Sequence, residues 1–374
     1  MKIVFVSDSV YPYFKGGKEK RLHELSTRLA ALGNDVHIYT MHWWQTEENE
    51  RTEHGVKLHA ISKKYDMYHG DRRSIKEGIL FALACFKIFP ISFDVIDVDH
   101  MPFFPIYSVW AACLLTGRRH KFHGTWHEAL PRQAWVDYMG KSGHIAALIE
   151  RVSTKLPYKI SAASARTKQQ LAEYHHRSKR VELVANGIDI ELLRDVVPAD
   201  VACDVLYVGR LVKDKNIDKL IRAMALIKRT DPSVRCVIVG HGTEKTHLEK
   251  LIAKLELSKH VTIKEPLPEA KDIYAYMKRA KVFVLPSNRE GFGIVVLEAL
   301  GCGTPVVTID TPANAAKDLV EDGVTGSVVK LSTQSLADAI TVWIANDHNV
   351  AIADHVAHYG WDIISTQQSE VYAS

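Results

Sequence analysis

The feature that most constrains the fold of this chain is an alternation of short apolar runs with longer helical patterns, which occurs twice along the sequence. The second series starts with residues 204–209 (DVLYVG) and includes residues 282–285 (VFVL). Runs of Val and Ile that are separated by helices are typical of parallel sheets covered on both faces. The chain is therefore predicted to form two successive α/β domains.

The predicted strands share this apolar character, and the segments between them are long enough for helices. In the first half the strands are residues 3–7, 35–39, 56–60, 95–98, a short run near Lys121, 159–162 and 181–184. In the second half they are residues 204–209, 235–239, 261–264, 282–285 and 305–309. The clearest helix is residues 19–32, where apolar side chains recur at helical spacing: Leu22, Leu25, Leu29 and Leu32.

The length of 374 residues also favours two domains, because a single hydrophobic core rarely serves so long a chain. The junction is predicted near residues 192–203, which have no clear period and contain Pro198. We therefore expect an N-terminal domain at residues 1–195, a C-terminal domain at residues 200–350 and a ligand cleft between them.

The composition excludes several classes of protein. A hydrophobic content of 47% and a charged content of 25% are those of a folded chain. The five cysteines are scattered without a CxxC pair, which predicts reduced thiols and neither a disulfide framework nor a zinc site. The sequence reaches Asp8 too soon for a signal peptide, and Lys87 and Pro90 interrupt the longest apolar segment, residues 79–93. We expect a cytoplasmic protein without a membrane-spanning helix.

The net charge of +4 is concentrated in the first half, where residues 1–190 hold 27 Lys and Arg against 20 Asp and Glu. Three basic clusters could meet an anionic partner, although a solvated surface explains each of them as well. They are Lys15, Lys18, Lys20 and Arg21; Arg72, Arg73 and Lys76; and Arg118, Arg119 and Lys121. Together with residues 79–93 they could form a peripheral surface at the inner face of a membrane, but a buried helix explains that apolar segment equally well. Nucleic-acid binding is not expected, because no recognisable module accompanies the charge.

A glycine loop with a carboxylate at each end follows the predicted strand 282–285. The residues that matter in it are Glu290, Phe292, Gly293, Ile294 and Glu298. At a strand-to-helix turn such a loop can bring a diphosphate close to backbone N–H groups, while carboxylates hold sugar hydroxyls. Residues eight apart on a helix are separated by about 12 Å along its axis, too far for the carboxylate pair of a retaining hydrolase. The loop is therefore interpreted as one wall of a nucleotide-sugar site.

Two cations follow the first predicted strand of the second half: Arg210 comes directly after Gly209, and Lys215 lies in the same loop. A guanidinium and an ammonium suit the negative charge that develops on a departing nucleoside diphosphate. We therefore predict that no cofactor and no divalent metal is required. The competing metal site is Asp97-Val98-Asp99, whose carboxylates suit Mg²⁺ or Mn²⁺. It is disfavoured because Asp97 is predicted to lie within a strand.

The N-terminal half contributes a glycine pair and two histidines. Gly16 and Gly17 lie between a predicted strand and a helix, so a phosphate or sugar could approach their backbone. His123 is predicted to follow the short strand near Lys121, where its imidazole could bond a sugar hydroxyl or assist a proton, and His127 is the second choice. The glycines here do not complete a dinucleotide-binding fingerprint, which argues against NAD.

The motifs of this chain, in the order in which they occur, resemble those of the GT4 family of glycosyltransferases with the GT-B fold. The resemblance extends over nearly the whole chain. The shared motifs are Pro12 to Gly17, His123-Gly124, residues 186–189 (NGID), Gly209-Arg210 with Lys215, residues 240–242 (GHG), Pro286-Ser287, and Glu290 to Glu298, which matches the EX7E pattern. The resemblance implies two Rossmann-like domains that face each other across a cleft. It also implies that a C-terminal helix at about residues 355–374 returns to complete the N-terminal domain.

The resemblance implies roles for the donor-binding residues. Arg210 and Lys215 would clamp the donor diphosphate, and Glu298 would bind the ribose hydroxyls. A second group would hold the donor sugar and its phosphates: Glu290, Phe292, Gly293, Gly17 and His123. Two departures are Asn216, where the family commonly has glycine after the lysine, and residues 65–73, which match no family pattern.

The implied reaction is retaining transfer of a hexosyl group from a UDP- or GDP-sugar to a hydroxyl acceptor, which could be a sugar, a lipid-linked glycan or a small molecule. The leaving phosphate would accept the acceptor's proton, so that no protein nucleophile is required. GT-B folds also serve phosphorylases and sugar-nucleotide epimerases, and a nucleotide-sugar-binding module without turnover is a third interpretation. Transfer is favoured because cations for the leaving group and ligands for the sugar occur together.

Overall fold

The computed structural model describes residues 1–69, 72–346 and 351–374. The chain forms two compact units, Met1–Asn186 with Trp361–Ser374, and Gly187–Gly360. The division differs from the predicted boundaries at residues 195 and 200, because Ile188 and Leu193 pack against Gly301 of the second unit. Residue 350, the predicted end of the second domain, lies outside the described residues.

The elements of both units alternate along the chain. The strands are β1 Lys2–Val6, β2 Asp35–Met41, β3 Glu50–Glu53, β4 Val56–Ser62, β5 Tyr68–His69, β6 Arg72–Arg73, β7 Val95–Asp99, β8 Phe122–Trp126, β9 Lys159–Ala162, β10 Val181–Leu183, β11 Val205–Val208, β12 Cys236–Val239, β13 Val261–Lys264, β14 Val282–Leu285, β15 Val306–Ile309 and β16 Gly326–Val329. The α-helices are α1 Gly17–Ala31, α2 Ile75–Ala84, α3 Phe104–Leu115, α4 Arg132–Met139, α5 Gly143–Ser153, α6 Ala165–His175, α7 Ile190–Asp195, α8 Ile217–Ile227, α9 Lys245–Lys254, α10 Ala270–Arg279, α11 Ile294–Gly301, α12 Thr333–Ala345, α13 Ala351–Asp354 and α14 Trp361–Ala373.

The sheet of the first unit has the strand order β10-β9-β8-β7-β1-β2-β4-β3. Its strands are parallel except for the edge strand β3, which pairs antiparallel with β4. The chain runs from β1 to β2 on one side and later places β7 on the other side of β1. The strand order therefore reverses between β1 and β7, and ligands of open parallel sheets bind beyond the carboxyl ends of strands at such a point.

Side chains of β1 alternate between two cores, one on each face of this sheet. Val4 and Val6 pack in the same cluster as Phe81 of α2 and Val109 of α3. Ile3 and Phe5 pack in the other cluster, whose helical members include Leu22 and Leu29 of α1 and Tyr372 of α14. The sheet is thus covered on both faces, and α14 supplies part of one cover although it follows the second unit in sequence.

The sheet of the second unit has the strand order β13-β12-β11-β14-β15-β16 and is parallel throughout. Its order reverses between β11 and β14. Every strand predicted from the sequence is present in the two units, with ends that match or differ by one or two residues. The prediction missed β3, whose residues ERTE are polar, the short hairpin of β5 and β6, and β16, which begins with Gly326-Ser327.

Local signals set several helix ends. Ser164 caps α6 by accepting a hydrogen bond from Thr167 N at 2.9 Å, and Ser332 caps α12 in the same way. Helix α1 ends at Ala31, and Gly33 follows with a φ of 85°. Leu32, the last apolar residue of the predicted helical pattern, is 58% exposed because it lies beyond the last turn.

Candidate functional site

The predicted donor-binding residues of the second unit converge on the carboxyl edge of its sheet, where the strand order reverses. Arg210 and Lys215 lie in the loop that follows β11, and Glu290 lies in the loop that follows β14. Because β11 and β14 are adjacent and parallel, these loops are neighbours. Two motifs that are about 75 residues apart in sequence, Arg210 with Lys215 and Glu290, therefore lie on one surface of the second unit.

Direct contacts join the two loops. Lys215 Nζ lies 2.6 Å from Glu290 Oε1, and both side chains are largely buried. Asn216 donates to Pro286 O at 2.8 Å, and Asn288 N donates to Asp214 O at 2.9 Å. Lys215 and Glu290 are therefore held in place before any ligand arrives.

The Arg210 side chain is exposed at the same edge. In the part of the chain that the structure describes, its guanidinium has no carboxylate within ion-pair distance. Its carbonyl oxygen accepts a hydrogen bond from the buried Tyr207 hydroxyl at 3.0 Å, which fixes the backbone at the strand end. An uncompensated guanidinium on a fixed backbone is suited to an anion.

The glycines near Arg210 are explained by packing. A Cβ on Gly240 would lie 1.9 Å from Gly209 O, and one on Gly242 would lie 2.2 Å from Leu211 O. These residues let the ends of β11 and β12 approach each other closely.

The glycine loop after β14 is equally constrained. Gly293 precedes α11 with a φ of 88°, and a Cβ there would lie 2.4 Å from Ala316 Cβ. Phe292 is buried beside Tyr359, with ring centroids 6.1 Å apart, and Ile294 begins α11. Glu290 is tied through its backbone to Ala313 O and Ala315 N. The loop is a rigid turn whose backbone can approach a ligand closely.

Glu298 lies within α11 and is only 7% exposed. Its Oε1 accepts a hydrogen bond from the Tyr274 hydroxyl at 2.9 Å. This carboxylate is held separately from Glu290, which is paired with Lys215. The ribose-binding role of Glu298 stays a prediction.

In the first unit, a cluster of buried charged side chains lies where the strand order reverses between β1 and β7. Asp8 follows β1, Asp99 ends β7, and Lys18 lies in the first turn of α1. Lys18 Nζ is 2.7 Å from Asp8 Oδ1 and 3.7 Å from Asp99 Oδ2, and Arg73 pairs with the other oxygen of Asp8. His127, which follows β8, is 3.0 Å from Asp99 Oδ1 through Nε2. We call this group the acidic-edge cluster; the sequence did not single out Asp8 or Arg73 as its members.

Burial and pairing act in opposite directions within the acidic-edge cluster. Burial alone would raise the pKa of Asp8 and Asp99, but Lys18 and Arg73 lower the pKa of Asp8, and Lys18 and His127 lower that of Asp99. Burial would lower the pKa of Lys18, but the two aspartates raise it above its usual range. Asp8, Asp99 and Lys18 therefore stay charged at neutral pH.

Gly16 and Gly17 also lie at this edge, as the residues at the start of α1. A Cβ on Gly16 would lie 2.3 Å from Glu19 Oε2. Glu19 is buried, and its other oxygen accepts a hydrogen bond from the Ser9 hydroxyl. The space beside Gly16 is thus filled by a protein carboxylate.

The expected position of His123 after a strand was wrong, because β8 continues from Phe122 to Trp126. His123 is 3% exposed, its ring lies edge-on to Tyr372, and burial lowers its pKa to about 4 with a smaller effect from Lys159. Glycine is required at position 124 of this strand. The Trp126 ring lies 2.7 Å from the position that a Cβ would take, so a larger side chain would clash with it. The imidazole that follows β8 at the carboxyl edge is that of His127, which lies beside His100 at the end of β7.

The first predicted basic cluster is not a solvated surface, because two of its members point inward. Lys18 belongs to the acidic-edge cluster, and Arg21 is 1% exposed. Arg21 NH1 donates to Ala185 O at 2.5 Å and to Asn186 Oδ1 at 3.0 Å. Burial lowers the Arg21 pKa to about 10. A helical pattern alone does not show which long cations turn inward.

The Asp97-Val98-Asp99 segment uses its carboxylates in contacts within the unit. Asp97 accepts hydrogen bonds from the Tyr372 hydroxyl at 2.6 Å and from Thr125, while Asp99 faces Lys18 and His127. Among the residues described, no group of three His, Cys, Asp or Glu side chains could hold a metal ion.

The apolar segment 79–93 forms most of α2 and a following 3-10 helix, Cys85–Ile88. One side is buried in the core, as for Phe81 and Cys85. The opposite side is apolar and exposed, and comprises Ile75, Ile79, Leu83, Phe86 and Phe89. No described helix is long and apolar enough to span a bilayer.

Two protein families match most of the chain between them. The family "Glycosyltransferase Family 4" matches residues 15–192, and "Glycosyl transferases group 1" matches residues 197–357. A D-inositol 3-phosphate glycosyltransferase of Frankia alni is 35% identical over 168 residues, which cover 40% of this chain and 40% of that protein. Glycogen synthase of Mycobacterium tuberculosis is 24% identical over 404 residues, which cover 100% of this chain and 94% of that enzyme.

Solved glycosyltransferase structures share the fold. Sucrose-phosphate synthase from Thermosynechococcus elongatus superposes with a TM-score of 0.78 at 20% identity, covering 100% of this chain and 98% of that one. Anabaena HepE in complex with UDP and glucose superposes with a TM-score of 0.74 at 19% identity, covering 100% and 99%. With both families matched and the fold shared, the chain belongs to the GT4-type glycosyltransferases of the GT-B fold.

Proposed function

We propose that this glycosyltransferase moves a hexosyl group from a UDP- or GDP-sugar to a hydroxyl acceptor, with retention of anomeric configuration and without a divalent metal. The observation that carries the proposal is the paired Lys215 and Glu290 beside the exposed Arg210, at the carboxyl edge where β11 meets β14. This edge is where open parallel sheets bind nucleotides.

Arg210 and Lys215 would neutralise the charge that grows on the leaving diphosphate. The bond between the anomeric carbon and the phosphate oxygen breaks, and a bond from that carbon to the acceptor oxygen forms on the same face. The acceptor's proton passes to the leaving phosphate oxygen. Charge is balanced by protein cations, so this chemistry needs neither a metal nor a protein nucleophile.

Glu290 would hold the donor sugar, because its carboxylate lies in the loop beside the cations and is fixed by Lys215. The backbone at Phe292, Gly293 and Ile294 would approach the phosphates, supported by the turn at Gly293. Glu298, oriented by Tyr274, would take the ribose hydroxyls.

The first unit would bind the acceptor. Its acidic-edge cluster presents fixed charges and the His127 imidazole beyond β1, β7 and β8. These groups suit hydroxyls, which donate to carboxylates and accept from ammonium groups. In this proposal His127, and not the buried His123, supplies an imidazole to a sugar hydroxyl.

The relatives support a hexose donor. HepE has been solved with UDP-glucose, and two other relatives are named glycogen synthase and sucrose-phosphate synthase. The acceptor would bear a hydroxyl group and would be a sugar, a lipid-linked glycan or a small molecule.

The test is a panel of UDP-, GDP- and ADP-hexoses with candidate acceptors in EDTA, with the anomer of the product determined by NMR. We expect a product of retained configuration from a UDP- or GDP-sugar, and loss of transfer in Arg210→Ala with unchanged thermal unfolding. Turnover of the donor without an acceptor would indicate an epimerase, and dependence on inorganic phosphate would indicate a phosphorylase. Calorimetric binding of donor without transfer to any acceptor would indicate a binding module.

A further inference from the structure

A cationic cavity lies at the edge of the first sheet opposite the acidic-edge cluster. Its volume is about 450 Å³. It is formed where the chain enters β8, β9 and β10, so it lies at the amino ends of these parallel strands. The lining residues are Arg119, His120, Lys155, Leu156, Pro157, Tyr158, Arg177 and Arg180.

The cations of the cavity are not neutralised by the protein. In the described part of the chain, no carboxylate lies within ion-pair distance of Arg119, Lys155, Arg177 or Arg180. Lys155 donates to the carbonyls of His175 and His176, and Arg177 donates to those of Pro157 and Tyr158. The Arg180 guanidinium lies 3.7 Å from the centre of the Tyr158 ring. Backbone carbonyls and a ring position these cations without cancelling their charge.

The cations also repel one another. Burial lowers the pKa of Lys155, and Arg177 and Arg151 lower it further. Burial and Arg180 likewise lower the pKa of Arg177. The four segments that reach this edge, residues 85–94, 114–122, 151–159 and 176–182, hold ten Lys and Arg against two Asp and Glu. An anion in the cavity would relieve this repulsion.

Apolar side chains are exposed beside the same cavity. Helix α3 ends with Leu114 and Leu115, which are 43% and 74% exposed, shortly before Arg119. Helix α5 carries Leu148 and Val152 on its exposed side, shortly before Lys155. Each of the two segments therefore brings exposed apolar groups and then a cation to this edge.

A binding site for a water-soluble anion needs only cations. A phospholipid surface offers anionic phosphates together with acyl chains, so a site for it needs cations and apolar groups side by side. The combination of cations in a cavity and apolar groups at its rim fits the second case. We propose that this cavity binds the phosphate group of an anionic phospholipid, and that the amino edge of the first sheet docks on an anionic membrane surface. Leu115 and Val152 would enter the acyl boundary, and the exposed Phe86 and Phe89 lie at the ends of neighbouring segments on the same edge.

This docking is independent of the donor chemistry proposed above. It uses the amino ends of the strands of the first unit, whereas the acidic-edge cluster lies at their carboxyl ends. Membrane contact would therefore leave that cluster uncovered.

The experiment is co-sedimentation of the full chain at low salt with vesicles of phosphatidylcholine alone and of phosphatidylcholine mixed with phosphatidylglycerol. We expect binding only to the mixed vesicles, with a partition coefficient that falls by about 30-fold in Arg119→Gln/Arg180→Gln, since each cation near an anionic surface contributes about 1 kcal/mol. The matched control is Lys63→Gln/Lys168→Gln, which removes two exposed cations of the first unit outside the cavity and should bind like the unmodified chain. Equal losses in the two double variants, or binding to neutral vesicles alone, would overturn the proposal.

Two further arms separate the lipid from other anions. Leu115→Ser/Val152→Ser keeps every charge and should also reduce vesicle binding, while a soluble anion site would be unaffected. Titration with inorganic phosphate and with glycerol phosphate should show only weak binding. Tight binding of either one without recruitment to vesicles would overturn the lipid assignment. Hexosyl transfer to a water-soluble acceptor should be unchanged in all these variants. The vesicle assay therefore tests membrane docking, and the transfer assay tests the proposed catalytic function independently.

Discussion

Lys215 Nζ lies 2.6 Å from Glu290 Oε1 and so joins the loops that follow two adjacent strands, β11 and β14. The pair is largely buried, and its partners are positioned by the contacts of Asn216 and Asn288 with the opposite loop. A donor diphosphate that reaches Lys215 must share the ammonium with Glu290. In the proposed donor complex the lysine would bind phosphate while it still fixes the orientation of the Glu290 carboxylate.

Replacement of Lys215 tests whether this cation stabilises the leaving group. We expect Lys215→Ala to lower kcat by about 100-fold or more in the presence of EDTA, because one donor to a developing anion contributes a factor of this size. Lys213→Ala is the control, since Lys213 is an exposed cation of the same loop. Equal losses in both variants would point to a general charge effect instead of a specific contact.

Glu290→Gln separates sugar binding from phosphate binding. Glutamine still accepts a hydrogen bond from Lys215 but no longer neutralises it, so the affinity for the free nucleoside diphosphate should stay the same or rise. Transfer should fall by about tenfold or more, because the contact to the donor sugar is weakened. Calorimetry with the nucleoside diphosphate and steady-state kinetics give the two quantities. A parallel fall in both would show that Glu290 acts on the phosphates.

Gly293→Ala should destabilise the second unit by more than backbone strain alone. Its φ of 88° costs about 1 kcal/mol for a residue with a Cβ, and the contact with Ala316 at 2.4 Å adds about 1–3 kcal/mol. Gly303→Ala is the control, since its φ is 78° but no atom lies within 4 Å of its Cβ position. Chemical unfolding should show the larger loss for Gly293→Ala and partial recovery on adding Ala316→Gly. Equal losses at both glycines would refute the steric contribution.

Asp97 should make the first unit less stable as the pH rises. Burial raises its pKa to about 6, against the hydrogen bonds from Tyr372 and Thr125 that lower it. Since the folded pKa exceeds the unfolded value of about 3.9, the stabilisation is complete below about pH 4 and is lost as the pH rises through about 6. Relative to Asp97→Asn, the unmodified chain should lose about 2–3 kcal/mol of stability between pH 4 and pH 7.

The measurement for Asp97 is unfolding of both proteins across this pH range. Tyr372→Phe serves as a second variant: it removes a hydrogen bond that favours the ionised carboxylate, so the loss should extend to higher pH. Parallel pH profiles for the unmodified chain and Asp97→Asn would contradict the assignment.

The fold follows from the sequence wherever a strand is buried on both faces. Runs such as 282–285 contain only apolar residues and have few alternatives to a central parallel strand. Edge strands lack this signal: β3 is polar because it is exposed, and β16 begins with glycine and serine. The position of α14 depends on Tyr372 and its distant partner Asp97, which no local pattern reveals.

The candidate donor loops were predicted because glycine, cations and carboxylates occur together within short segments. The acidic-edge cluster was not, because its members come from separate segments and meet only through the strand order. His123 was misplaced for a different reason: a glycine usually weakens a strand, but Gly124 makes room for the Trp126 ring. The end of β8, and with it the location of His123, therefore depends on packing between side chains that a local sequence pattern does not show.

The helix that carries Tyr372 has a consequence for biosynthesis. It leaves the ribosome after the entire second unit, yet it covers the face of the first sheet that bears Leu22 and Leu29. The second unit is encoded without interruption and can complete its core while the first still lacks a helix. During translation the two halves of the enzyme should therefore mature in the reverse of their order in the chain, and the nascent first sheet must tolerate an open hydrophobic face until synthesis reaches Trp361.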